Sequence, residues 1–325
     1  MINEERIIIN GEINIGATIS YPDKNKKYPL VILIAGTGSL DRDGNAFGFK
    51  TNIYKDLSDM FVSMNSVCIR YDKRGTYESK TNNLNFGLSD YVDDVSAIIN
   101  YAKKLDNVDS EKIIICGHSE GTMIATLLTQ KENLRGIILL GGAWMGLRDA
   151  SIYQNYLIID EVKNMKGILG WFLRKTLKEE NIDRQINEMY LKADACKKEK
   201  FFYKGSILPT KYVREHGRLS SEDYIKILKA YKGRILAITG RGDVQADYRK
   251  LDSLKNMENA TICTPEKLNH MLRDNDNEPS IMNVKKEYKK CFKKSISSDL
   301  KNIINDFMKK VNWKKQFTFL YCIIN

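Results

Sequence analysis

The chain has 325 residues, 42% of them hydrophobic and 29% charged, proportions that suit a folded core and exclude both extended disorder and a polytopic membrane protein. Its formal net charge of +11 brings nucleic acid and anionic lipid into question as partners, and where the charge lies decides what it means. The first residues, MINEERIII, place acids early and lack an apolar run leading to a small-residue cleavage site, so no secretory leader is expected and the protein is assigned to the cytoplasm. Ile7 to Ile9, the Asn10-Gly11 pair and the alternating Ile13, Ile15, Ala17 and Ile19 predict an antiparallel hairpin closed by a turn with positive φ. Continuous apolar runs follow at Val31 to Ala35, Val67 to Ile69, Ile113 to Cys116, Ile137 to Leu140, Ile235 to Thr239 and Thr261 to Cys263. Such runs are what strands buried on both faces of a parallel sheet require. Stripes at helical spacing lie between them, one through Ile53, Leu57, Met60, Phe61 and Met64, another from Leu88 through Leu105.

The alternation predicts the α/β class, with a mostly parallel, doubly wound sheet behind an N-terminal antiparallel hairpin. It stops after Leu140-Gly141-Gly142 and resumes at Gly233. Residues 144–232 are rich in Lys, Tyr and helical patterns and read as a helical cap insertion. They divide the core into 1–143 and 233–311 and leave 312–325 as a tail. An insertion leaving the C-terminal ends of parallel strands should roof the site. Trp144, Met145, Trp171, Phe172 and Leu173 could line a pocket there or form the insertion's own core. Toward the C-terminus, eleven lysines between Lys285 and Lys315 face only Glu287, Asp299 and Asp306. Leu300, Ile303, Ile304, Phe307, Met308 and Val311 form a stripe through that segment, so its charge reads as the solvated face of a packed helix and no nucleic-acid partner is expected. The apolar run Phe317 to Ile324 is far shorter than the roughly 20 residues of a spanning helix, so stable membrane insertion is not expected either. Cys68, Cys116, Cys196, Cys263, Cys291 and Cys322 show no CxxC pairing and read as reduced thiols.

Gly117-His118-Ser119-Glu120-Gly121 is a G-x-S-x-G element placed between an apolar strand and an apolar helix, where such a turn lifts a serine hydroxyl clear of a sheet. Ser119 is the candidate nucleophile and needs a base. The chain has three histidines. His118 lies within the turn and should point away from Ser119, in a packing and hydrogen-bonding role. His216 precedes every plausible acid, against the order Ser, Asp or Glu, His that this architecture imposes. His270, after the last apolar run, remains as the general base. Asp243, in the turn Gly240-Arg241-Gly242-Asp243 after a strand, is the acid that would orient it, in preference to Asp247, which should serve the start of the next helix. The backbone amides of Glu120 and of Thr37, in the glycine-containing loop after Val31 to Ala35, are the expected oxyanion donors, worth ~3 kcal/mol each in comparable enzymes. That loop lacks the spacing of the nucleotide-binding glycine motifs.

Ala35 to Ser39, Asp41-Arg42-Asp43-Gly44-Asn45, Tyr71-Asp72-Lys73-Arg74-Gly75, the GHSEG turn, Gly240 to Asp243 and Asn269-His270 together resemble bacterial α/β-hydrolase carboxylesterases of the dienelactone-hydrolase and acyl-aminoacyl-peptidase branch. The resemblance spans roughly residues 28–310, with Ala35-Gly36 standing where relatives often carry His-Gly. It implies the α/β-hydrolase fold, a Ser119–Asp243–His270 triad, oxyanion donors at Thr37 and Glu120, and structural loops at Asp41 to Asn45 and Asp72 to Gly75. The expected activity is hydrolysis of small-molecule carboxylic esters of small or medium acyl groups through an acyl-enzyme, with no metal or cofactor. A serine peptidase or amidase and an acyltransferase could use the same residues, and a non-catalytic module on the same fold is the reading from another class. Homo-oligomerisation is left open by the sequence.

Overall fold

The computed structural model of the chain describes residues 2–46, 48–142 and 145–312; Trp144, Cys322 and the expected tail beyond residue 312 lie outside the described residues. The apolar runs become the strands of one eight-stranded sheet: β1 (Asn3–Asn10), β2 (Asn14–Tyr21), β3 (Tyr28–Ile34), β4 (Val67–Tyr71), β5 (Val108–His118), β6 (Gly136–Leu140), β9 (Arg234–Ile238) and β10 (Ala260–Cys263). Their order is β1-β2-β4-β3-β5-β6-β9-β10. From β4 to β10 neighbours are parallel, while β2 is antiparallel to β4 and to β1. The expected hairpin is present but its turn is not the expected one. Asn10 pairs with Asn14, Gly11 N–H donates to the Ile13 carbonyl, and neither Asn10 nor Gly11 has positive φ. The register leaves a three-residue connection, so the two-residue turn that would need positive φ does not arise.

Successive residues of a strand point to opposite faces, and along β3 both faces are buried. Leu30, Ile32 and Ile34 pack with α2 (Leu88–Ala102) and α3 (Gly121–Leu128). Val31, Leu33 and Ala35 pack with α1 (Ile53–Ser63) and with the C-terminal helix Ser298–Asn312, whose Leu300, Ile304, Phe307, Met308 and Val311 are all buried. The fold is thus the doubly wound α/β sheet that the periodicity predicts, in the α/β-hydrolase arrangement that the resemblance implies, with loops at the C-terminal strand ends free to carry chemistry.

Between β6 and β9 the chain forms α4 (Leu147–Lys163), α5 (Gly167–Thr176), α6 (Ile182–Ala195), α7 (Thr210–Arg218) and α8 (Ser221–Ala230). It also forms a feature that the helical reading of this stretch lacks, an antiparallel hairpin of β7 (Lys200–Tyr203) and β8 (Ser206–Pro209). Lys204 and Gly205, at φ 45° and 82°, close it as a tight two-residue turn. Tyr224 and Leu228 of α8 join the main core, and α7 is bound to the start of α2 by Lys211–Asp90 at 2.7 Å and by Glu215, which accepts from Ser89 N–H and Oγ.

Candidate active site

Strand β5 ends at His118 and α3 begins at Gly121, so Ser119 sits on a two-residue turn with φ +54°. A side chain in that left-handed region costs about 1–3 kcal/mol and persists only where its surroundings hold it. Here the Ser119 N–H donates to the Leu140 carbonyl at 2.8 Å, while the Ser119 carbonyl accepts from Thr122 N–H and Oγ1. The flanking glycines are required by close approach. A Cβ on Gly117 would strike the Gly121 carbonyl, and one on Gly121 would strike the Ile34 carbonyl. Ser119 is left half-exposed at the head of α3, whose N-terminal dipole favours negative charge at that point.

His270 and Asp243 come together from the loops after β10 and β9. His270 Nδ1 lies 2.8 Å from Asp243 Oδ2, and Asp243 Oδ1 accepts from the backbone N–H groups of Gln245 and Ala246. Both side chains are buried. Asp247 takes no part in this pair; it caps the following 3₁₀ turn and bonds Arg249 at 2.7 Å. Ser119 and His270 line one cavity of about 300 Å³ together with Thr37, Glu120, Tyr54, Met123, Met145 and the first turns of α4. No hydrogen bond joins Ser119 Oγ to His270 among the described residues, and such bonds often tighten only when substrate is bound.

His118 is tied to both sides of this cavity. Its Nε2 lies 2.8 Å from the His270 carbonyl, which can only accept, so Nε2 carries the proton and Nδ1 accepts from Tyr54 Oη at 3.1 Å. Tyr54 Oη in turn accepts from Gly36 N–H at 2.8 Å. Burial, reinforced by the nearby His270 ring, pushes the His118 pKa down to about 3, so this imidazole is neutral and acts as a spacer between the Gly36 loop and the His270 loop.

Glu120 is the centre of a second buried group. Lys73 Nζ meets its Oε2 at 2.5 Å and also donates to the Gly36 carbonyl. From α7, Tyr212 Oη donates to Glu120 Oε1 at 2.6 Å and His216 Nε2 does so at 3.0 Å. Burial opposes ionisation of Glu120, but Lys73 and His216 outweigh it and hold the carboxyl well below the usual carboxylate range. His216 therefore binds a carboxylate behind the Ser119 turn and is absent from the cavity wall. Sequence reasoning missed Tyr54, Tyr212 and this use of His216, because partners 64 to 96 residues apart leave no local signal.

The residues offered as a pocket lining or as the insertion's own core part company. Met145 is in the wall, joined by Leu147 and Ala150, but Trp171, Phe172 and Leu173 are not. Trp171 and Phe172 are each 54% exposed. The helical phase of α5 turns Gly170 inward and its large side chains outward.

The sequence model of the serine aminopeptidase, S33, family matches residues 47–212, just over half of the chain. The chain belongs to this family. Solved structures agree on the fold. Est1E from Butyrivibrio proteoclasticus superposes with a TM-score of 0.56 at 18% identity, over 94% of this chain and 98% of its own. DcsB, solved with its substrate analogue, gives 0.59 at 11% identity over 95% and 99%. The Pyrococcus furiosus esterase Pf2001 gives 0.51 at 11% identity over 95% and 92%. At these identities the likeness is one of fold. A search of the curated proteins finds no match.

Proposed function

We propose that the protein is a serine esterase that cleaves carboxylic esters of small or medium acyl groups. Ser119 attacks the ester carbonyl while His270 takes its proton. Asp243 holds the imidazole in the right tautomer, the amides of Thr37 and Glu120 receive the oxyanion, and water then frees the acid with His270 as base. The observation that carries this reading is the buried 2.8 Å Asp243–His270 pair, whose His270 lines one cavity with a serine held at φ +54°.

The family's description points to aminopeptidase activity, and the wall chemistry argues for esters instead. Capture of a peptide's amino terminus needs a carboxylate with no cation of its own. Among the described lining residues Glu120 is the one carboxylate, and Lys73 already neutralises it. A cavity of about 300 Å³ lies at the small end of ligand sites. An acyl chain gains roughly 0.8 kcal/mol per buried CH₂ until the wall is met, which favours short and medium chains. Expected is a kcat/KM for small acyl esters at least ~100-fold above that for aminoacyl-anilides, equivalent to ~2.7 kcal/mol in the barrier. Steady-state kinetics on chromogenic esters of graded length beside aminoacyl-anilides decides it. Anilide turnover equal to or above ester turnover would move the protein to the peptidases.

A further inference from the structure

Helix α5 is ten residues long, and Gly170 is its one buried residue. Isolated helices this short are marginal in water and ordinarily depend on packing an apolar face. Apart from the partly buried Leu173, the large apolar residues of α5 are unpacked: Ile168 is 87% exposed, Leu169 57%, and Trp171 and Phe172 54% each. At about 100° per residue these four span one arc of roughly 160°, and Gly170 lies opposite its centre. The helix therefore sits on the body by its narrowest residue and presents its apolar face directly away from it.

The charge around that face indicates what covers it. From residue 163 to 178 the chain carries Lys163, Lys166, Arg174, Lys175 and Lys178 and no acid. Lys163 pairs with Glu179 and Arg174 donates to the Val162 and Met165 carbonyls, whereas Lys166, Lys175 and Lys178 make no salt bridge among the described residues. Lys175 lies over the Trp171 ring at 4.1 Å. Large aliphatic and aromatic groups on one face, flanked by unpaired cations, are the composition of helices that lie in the headgroup region of anionic bilayers. A second copy fits poorly, since a symmetric contact would set the same cations face to face. The C-terminal run Phe317 to Ile324 follows Lys309, Lys310, Lys314 and Lys315 and meets the same objection.

We propose that α5 is a docking face for the surface of an anionic membrane, binding peripherally through Ile168, Leu169, Trp171 and Phe172 with Lys166, Lys175 and Lys178 on the headgroups. The test reads binding rather than turnover, so it stands apart from the esterase reading. The full-length chain is sedimented with vesicles of phosphatidylcholine alone and of equal parts phosphatidylcholine and phosphatidylglycerol. Expected is binding to the anionic vesicles that weakens at high salt, and at least ~100-fold weaker partitioning for Ile168→Glu/Trp171→Glu/Phe172→Glu with thermal unfolding unchanged. The full-length variant Phe319→Ser/Leu320→Ser/Ile323→Ser should bind like the wild type. Failure of the wild type to bind overturns the proposal. So does undiminished binding by the α5 variant, or binding lost with the C-terminal variant. Concentration-dependent dimerisation in analytical ultracentrifugation that the α5 variant abolishes would assign the face to a second copy instead.

Discussion

At the scale of single residues, the site makes sharp demands on three side chains. Ser119 contributes an exposed hydroxyl and little packing, so Ser119→Ala should abolish ester hydrolysis and leave the fold intact. A fluorophosphonate should label Ser119 in the wild type, read on the tryptic peptide by mass spectrometry, and labelling elsewhere would overturn the assignment. Asp243→Asn should lower kcat by about 10³–10⁴-fold through loss of imidazole orientation, with Asp247→Asn within about threefold of wild type. Equal losses would mean the acid has been misassigned. His118 bears on stability instead. Its pKa lies near 3 in the folded chain against 6.5 for an ordinary histidine, so between these values the unfolded state binds more protons. Stability should therefore fall as pH drops from about 6.5 toward 3, on the order of a few kcal/mol from this group. Thermal unfolding from pH 7 to 4.5 should show a shallower decline for His118→Gln than for the wild type, from a lower starting point; parallel curves would assign the acid sensitivity to other groups.

At the scale of elements, α7 is where the insertion reaches the chemistry. Tyr212 and His216, one turn apart, both bond the carboxylate of Glu120, whose amide is a proposed oxyanion donor. Lys73, on the other side of that carboxylate, holds the Gly36 carbonyl just before the second donor at Thr37. Removing one hydrogen bond from a buried charge costs roughly 1.5–3 kcal/mol, and a part of that should appear as misplaced amides. Tyr212→Phe and His216→Gln are each expected to reduce kcat by about tenfold with KM within about threefold, since the oxyanion forms only in the transition state. A loss of stability in urea with kcat unchanged would make the cluster purely structural. None of this was legible in the sequence, although the elbow itself was. G-x-S-x-G with its strand and helix is a local signal, and its order relative to Asp243 and His270 is set by topology. The position of α7 depends instead on how an insertion settles on the core. The outward placing of Trp171 and Phe172 was hidden for the same reason, because the pattern finds an apolar face without saying which side the body lies on. The hairpin β7–β8 was readable in principle, from Phe201 to Tyr203 before Lys204-Gly205 and Ile207 and Leu208 after it, but was masked by the helical patterns on either side.

At the scale of the whole molecule, charge is distributed in a way that composition conceals. The sheet strands were plain from their apolar runs. By contrast Arg70, Asp72, Lys73 and Arg74 lie at the end of β4 and in the loop just beyond, which the resemblance marks only as structural, and are all buried. They are the point where separate parts of the fold meet. Arg70 reaches Glu4 and Asp43, Asp72 pairs with Arg42, Lys73 with Glu120, and Arg74 with Asp94 of α2 and Glu12 of the N-terminal hairpin. Each pair was hidden from sequence reading because its members lie in different elements and neither has a local partner. The Arg74–Asp94 bond gives the clearest energetic test. It is bidentate, at 3.0 and 2.7 Å, and both side chains are almost fully buried. Burial raises the Asp94 pKa even with Arg74 beside it, so without the guanidinium this carboxyl must either take a proton or stay charged in an apolar setting. Arg74→Met should therefore cost about 3–5 kcal/mol in urea unfolding. Arg74→Met/Asp94→Leu should recover most of that loss, because the orphaned charge goes with its partner, and Glu12 is exposed enough to be solvated by water. A double variant as unstable as the single one would mean that the pair stabilises the fold directly rather than satisfying a buried charge.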